Sequence, residues 1–166
     1  MKKLITLIVV LVIGMSLFGC GNNSNYDISK MSTTDIATAM KDNGLPVGKI
    51  LNYTEKTDPN ELLGKPNEYI QKLDFADTRL KDEQKYWDYP FGGTIEVFEN
   101  AVDAKQRYEY IDTVAHSGPI SMYMYLYDNV FIRLEKKLTT KQAKEYEVFF
   151  EKLANGEIAK PTIENK

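Results

Sequence analysis

The feature that most constrains this chain is its single cysteine, Cys20, which stands at the end of an apolar N-terminal segment. Met1-Lys2-Lys3 is a short basic start, and the run from Leu4 to Ile13 is almost entirely apolar. That run fits the apolar part of a secretory signal peptide and is too short for a membrane-spanning helix. Because one cysteine cannot form a disulfide within the chain, we expect the folded part to be stabilised by its hydrophobic core alone.

The residues around Cys20 resemble the lipobox of bacterial lipoproteins. Leu17, Gly19 and Cys20 occupy its −3, −1 and +1 positions, whereas Phe18 replaces the small or hydroxyl residue that is usual at −2. The resemblance implies a diacylglycerol on the Cys20 sulfur, signal cleavage between Gly19 and Cys20, and an anchor on the extracytoplasmic face of the cell membrane. Two acyl chains are enough for stable anchoring. The alternatives are an uncleaved membrane helix, or an ordinary signal peptide followed by a chance cysteine.

The remainder of the chain is expected to form one domain. We expect residues 1–19 to be the signal peptide, 20–31 a lipidated cysteine and a short flexible tether, 32–157 the domain and 158–166 a polar tail. The chain has a formal charge of −3, and cleavage would also remove Lys2 and Lys3. This acidic balance argues against nucleic-acid binding and against a polybasic membrane-binding role.

Hydrophobic periodicity and capping residues predict an alternation of helices and strands. Ser32 and Asp58-Pro59 are typical of helix starts, and Asp128-Asn129 is typical of a tight hairpin turn. The predicted helices are 33–43, a two-turn helix after Asp58, 101–115 and 139–153; the predicted strands are 47–54, 69–76, 94–98, 120–127 and 130–135.

This order predicts an α+β fold. We expect a mostly antiparallel sheet of four or five strands with the helices packed on one face, and a C-terminal β-α-β-β-α order. Three stretches resemble a group of uncharacterised small lipoproteins of Gram-positive bacteria; they are 61–66, 92–99 and 139–146. That resemblance implies location and fold but supplies no catalytic residues. A looser likeness, at Leu62 to Pro66, is to small α/β modules that bind or inhibit other envelope proteins.

No catalytic constellation is visible in the sequence. His116 is the only histidine and ends a predicted helix, so a hydrolytic triad is not expected. With Cys20 lipidated, no zinc site, other metal site or cofactor is expected. Acidic neighbours such as Asp74 and Asp77, or Asp82 and Glu83, are common in a chain with 24 acids. We therefore expect a non-enzymatic binding module; the alternatives are a carboxylate-based hydrolase of cell-wall glycans, which needs two carboxylates across a cleft, or a small inhibitor of another envelope protein.

Aromatic residues are the most distinctive feature of the domain. In the predicted hairpin, the three tyrosines at 123–127 alternate with Met122, Met124 and Leu126. A two-residue turn would pair Tyr127 with Val130, whereas a longer loop would pair Leu126 with Val130 and expose the tyrosines. We expect a binding surface for another envelope protein or a wall glycan, unless the loop 77–91 or the first helix covers it. Its predicted members are Tyr86, Trp87, Tyr89, Phe91, Tyr123, Tyr125, Tyr127, Phe131 and Arg133.

Overall fold

The computed structural model describes residues 25–117 and 122–161. The predicted signal peptide with Gly19 and Cys20, the start of the predicted strand at residue 120, and the end of the predicted tail lie outside the described residues. Within the described ranges, no helix is long and apolar enough to cross a membrane.

The domain has four α-helices and five strands in the described ranges, and its β-α-β-β-α ending confirms the predicted α+β order. All four strand pairings are antiparallel, and the spatial order is β1-β2-β3-β5-β4. The elements are α1 (Thr33–Asp42), β1 (Val47–Asn52), β2 (Gln71–Asp77), α2 (Lys81–Gln84), β3 (Gly92–Val97), α3 (Ala101–Ser117), β4 (Met122–Tyr127), β5 (Val130–Glu135) and α4 (Thr140–Ala154).

Capping side chains start the first and last helices where the sequence predicts them. Ser32 Oγ accepts from the Asp35 backbone N–H, while Asp35 Oδ2 accepts from the Ser32 N–H, both at 3.1 Å. Thr139 and Gln142 form the same reciprocal pair at the start of α4. Each such cap contributes about 1 kcal/mol, which is enough to define where a helix begins.

The prediction of a short helix after Asp58 is wrong, because this segment forms turns. Asp58 does accept from the backbone N–H groups of Leu62 and Leu63, as a helix cap would. However, Glu61 has φ +56° and Gly64 has φ +78°, values that a right-handed helix does not allow. The carboxylate therefore organises a turn and not a helix.

The helices cover both faces of the sheet, which corrects the expectation that they pack on one face. The first face carries Leu73, Phe75 and Ile132, which pack with α1 and α4 in the main core. The second face carries Phe131, which packs with Tyr108 of α3 in a separate cluster. The reason is that β4 and β5 are apolar on both sides, so each side requires a cover.

The packed domain also extends beyond its predicted limits. Ile28 lies in a short 3-10 segment (Ile28–Lys30) that Met31 follows, and both side chains are buried in the main core, as is Ile158 near the C-terminal end. Tyr26 N–H donates to Ile158 O at 2.9 Å, which joins the two ends of the domain. The predicted tether at 20–31 is therefore too long, because its second half packs into the fold.

The hairpin follows the first of the two registers considered. Asp128 has φ +52° in a two-residue turn, and Tyr127 pairs with Val130 and Tyr125 with Ile132. This register directs the tyrosines toward the first face, beneath α4. Their hydroxyls donate to backbone carbonyls of Leu138, Ala143 and Glu147 at 3.1, 3.3 and 3.5 Å, respectively.

Candidate binding surface at the aromatic loop

The segment from residue 85 to 91, here called the aromatic loop, connects α2 to β3 and carries three of the four exposed aromatic side chains among the described residues. Tyr86 is 82% exposed, Trp87 46% and Tyr89 38%. Phe91, at the end of the loop, is only 5% exposed and belongs to the main core. Three rings of the loop are therefore exposed to solvent, while the buried ring of Phe91 anchors the loop in the core.

One side chain, that of Gln84, holds the backbone of this loop. Its Nε2 donates to Trp87 O at 3.0 Å and to Tyr89 O at 2.8 Å, and its Oε1 accepts from Phe91 N–H at 2.6 Å. A single amide thus satisfies three backbone groups across the loop. Because a loop held in this way loses little conformational freedom on binding, its rings are pre-organised.

Trp87 and Phe91 stack in parallel. Their ring centroids lie 5.7 Å apart with an angle of 4° between the ring planes, and Tyr89 lies at 5.2 Å from Trp87 in a tilted arrangement. Such contacts add about 0.5–1.5 kcal/mol per pair beyond the burial of apolar area. They also keep the indole in one orientation although almost half of Trp87 is exposed.

A surface cavity of about 630 Å³ opens beside Trp87. Besides the three aromatic rings, its lining consists of two acidic residues and two lysines, whose formal charges cancel. Lys85 and Asp82 form an exposed ion pair at 2.8 Å, which contributes little to stability. The cavity thus combines aromatic surface with hydrogen-bonding groups of both signs; it is lined by Asp82, Glu83, Lys85, Tyr86, Trp87, Phe91 and Lys137.

A polar strip on the second sheet face interacts electrostatically with the aromatic loop. Asp74 of β2 accepts hydrogen bonds from the hydroxyls of Tyr53 at 2.6 Å and Thr94 at 2.7 Å. Burial raises the pKa of Glu135, and the nearby charge of Asp74 raises it further. Burial also raises the pKa of Tyr89, and the charges of Glu135 and Asp74 raise it further. The charges of both carboxylates therefore act on Tyr89.

Farther along the second face, the polar groups are buried and paired with one another. Glu96 is fully buried. Its carboxylate accepts a hydrogen bond from Arg133 Nη2 at 2.7 Å and a longer one from Arg107 Nε at 3.4 Å. Asp58 accepts from Lys72 Nζ at 2.8 Å and from the Tyr69 hydroxyl at 2.6 Å. Burial alone would raise the pKa of Asp58, but these hydrogen bonds outweigh it and hold that pKa below its usual range. We interpret this network as structural.

The predicted binding residues thus separate into exposed and covered groups. The three hairpin tyrosines are half-buried under α4, and Phe131 is fully buried against Tyr108 of α3, with ring centroids 5.6 Å apart. Arg133 is mostly buried and paired with Glu96. The prediction that the hairpin forms part of the binding surface is therefore wrong, because α3 and α4 cover its two faces. The predicted members that remain exposed are Tyr86, Trp87 and Tyr89.

Sequence reasoning missed Gln84 and the polar strip. Gln84 belongs to no motif, and its role depends on how the loop folds back on it. The strip depends on the register of three strands, in which Asp74 pairs with Thr94 and Thr94 with Arg133. His116 ends α3 as expected, with its exposed ring near the Asp112 carbonyl oxygen at 2.8 Å.

Among the residues that the structure describes, no three His, Cys, Asp or Glu side chains gather in a way that could hold a metal ion. Comparison with known proteins found no family model, no curated protein and no solved structure that matches this chain.

Proposed function

We propose that this protein is a lipid-anchored, extracytoplasmic binding module without catalytic activity, which contacts another component of the cell envelope through the aromatic loop. The observation that carries the proposal is the set of three exposed aromatic rings on a loop that Gln84 holds in place. Exposed aromatic clusters are typical of interaction sites, since aromatic rings provide contact area at low entropy cost.

The location of the loop supports this role. The chain enters the domain near Asn129, whose Nδ2 donates to Ser29 O at 3.3 Å at one end of the sheet. The aromatic loop lies at the opposite end, where Asp77 N–H donates to Phe91 O at 3.1 Å. The seven residues of β2 separate these ends by about 20 Å. A partner could therefore reach the loop while the other end of the domain stays tethered.

The proposed anchor has its own test. Mass spectrometry of the membrane fraction should find a mature N-terminus at Cys20 that carries a diacylglycerol. A Cys20→Ala variant should be lost from the membrane after signal cleavage. Equal membrane association of the cleaved variant would contradict the lipid anchor and leave the aromatic loop as a separate question.

The binding role is tested by recovering partners from membranes. The full-length tagged protein is crosslinked in cells that express it, purified, and compared with a Tyr86→Ala/Trp87→Ala double variant. We expect the double variant to lose the partner. Tyr110→Ala is the matched control, because Tyr110 is 61% exposed on α3, far from the loop along the chain, and should keep the partner. Retention of the partner by the double variant would contradict the proposal.

A carboxylate-based hydrolase is the second candidate, and one observation favours it. Burial raises the pKa of Glu135 and the charge of Asp74 raises it further, as a general acid requires. The opposing consideration is that Tyr53 and Thr94 already donate hydrogen bonds to Asp74. Release of soluble fragments from purified cell walls, abolished by Glu135→Gln, would favour the hydrolase over the binding module.

A further inference from the structure

A groove runs along the outer side of α4, between this helix and the end of α1. It encloses about 720 Å³ and has an apolar floor that includes Leu45, Val148 and Phe149. Ile158 lines the groove as well, beside the point where the N-terminal chain enters the domain. Val148 is partly exposed although it is apolar. This groove, called here the α4 groove, is distinct from the aromatic loop and serves no purpose in the binding role described above.

Basic side chains dominate the edge of the groove. Its charged lining consists of Lys141, Lys144, Lys152 and Glu145. Glu145 is already paired with Arg79 Nη1, and Lys144 with Glu147 at 2.9 Å. Lys141 and Lys152 form no ion pair with any of the described residues. The groove therefore presents a local positive surplus on a chain whose formal net charge is −3.

The length of the N-terminal chain limits how far this groove can be from a membrane. Asn25 pairs with Ala159, and Tyr26 N–H donates to Ile158 O at 2.9 Å, so the chain leaves the domain at the end of the groove. Four residues lie between Cys20 and Asn25, and the five Cα-to-Cα steps from one to the other can span at most roughly 18 Å. If Cys20 carries the lipid, the end of the groove must stay within that reach of the bilayer.

We propose that the α4 groove docks on an anionic phospholipid surface, with α4 parallel to the bilayer. Apolar side chains surrounded by lysines suit the boundary between headgroups and acyl chains. The inference rests on the lipid anchor of the proposed function. In this orientation α3 and the second sheet face point away from the bilayer, and the aromatic loop stays accessible at one end of the domain.

The test uses the full lipidated protein reconstituted in vesicles. In a Val148→Cys variant the new thiol is the only free one, because lipidation leaves the Cys20 sulfur in a thioether. Its reaction with a water-soluble maleimide is timed in vesicles of phosphatidylcholine alone and in vesicles containing equal amounts of phosphatidylglycerol. We expect labelling to slow several-fold in the anionic vesicles. Adding the changes Lys141→Glu, Lys144→Glu and Lys152→Glu should restore the faster rate.

Val102→Cys on α3 is the matched control, because Val102 is also exposed and should react equally fast in both vesicle types. Lys144→Cys provides a second thiol at the groove if Val148→Cys does not fold. Equal labelling of the groove thiol in both vesicle types would overturn the proposal, as would slow labelling in detergent, which would indicate a protein cover. Flotation of the vesicles reports the anchor separately, and partner recovery reports the aromatic loop separately.

Discussion

The aromatic loop and the β4–β5 hairpin are both rich in aromatic residues, yet the domain uses them in opposite ways. The hairpin tyrosines point under α4, and their hydroxyls donate to carbonyls of α4 and of Leu138 just before it. The loop rings of Tyr86 and Trp87 project into solvent from a backbone that Gln84 holds. Aromatic content alone therefore does not identify a binding surface. What distinguishes the two regions is whether another element covers the rings.

The largest effect is expected at Phe131, a residue of the hairpin region that is fully buried beneath α3. Phe131→Ala should lower the free energy of unfolding by about 3–5 kcal/mol, because it removes a buried ring and leaves a cavity. Urea denaturation measures this directly. A loss below about 1 kcal/mol would mean that α3 does not depend on this ring and that the hairpin is less well covered than described.

Alkaline pH should weaken the packing of the hairpin tyrosines. Burial raises the pKa of Tyr125 and of Tyr127 to about 12, above the ordinary value of 10.0. Because the folded state holds these protons more tightly, the associated stability is complete below pH 10 and is lost as the pH rises toward 12. Denaturation midpoints measured across this range should fall. Tyr125→Phe should reduce the slope of this fall, and an unchanged slope would show that this hydroxyl does not contribute to it.

Gln84→Ala should affect the loop in two ways. It removes three hydrogen bonds to the loop backbone, and we expect a stability loss of about 1–2 kcal/mol together with weaker partner recovery. Gln84→Glu is the matched variant, since it keeps the acceptor for Phe91 N–H but loses both donated bonds. It should fall between the wild type and Gln84→Ala in denaturation and in crosslinking yield. Unchanged recovery with Gln84→Ala would show that pre-organisation is unimportant.

A smaller effect is expected for a single hairpin hydroxyl. Tyr125→Phe removes the hydrogen bond to the Ala143 carbonyl oxygen, and the expected cost at neutral pH is about 0.5–1.5 kcal/mol. Thermal or chemical denaturation would detect it, and partner recovery should be unaffected. Loss of the partner without loss of stability would restore the hairpin as a binding surface.

Local features of the chain were predictable where a few neighbouring residues determine the outcome. The capping pairs at Ser32 and Thr139 define the starts of α1 and α4, and Asp128-Asn129 supports one of the two hairpin registers that the sequence allowed. The turns after Asp58 were not predictable, because that carboxylate is held by Lys72 of β2 and by Tyr69, which precedes β2. The cover over each hairpin face was not predictable either, since it depends on which helix packs there.

The same limit applies to the candidate site. The exposed rings of Tyr86, Trp87 and Tyr89 were within the predicted surface, because a dense aromatic run is visible in the sequence. The role of Gln84 was not visible, since its three contacts exist only after the loop has folded back. Asp74 and Glu135 come together through the antiparallel pairing of β2, β3 and β5, over a separation in sequence that no local pattern records.

The central claim is that the loop rings serve binding and the hairpin rings serve stability, and Trp87→Ala tests it most directly. Its thermal midpoint and its crosslinked partner yield should be measured on the same preparation, beside wild type and Tyr125→Phe. Because about half of Trp87 is buried and its ring contacts with Phe91 and Tyr89 are lost, we expect a stability loss of about 1–3 kcal/mol, smaller than that of Phe131→Ala, together with loss of the partner. A large fall in thermal midpoint with an unchanged partner yield would contradict the account, since Trp87 would then serve only to cover Phe91.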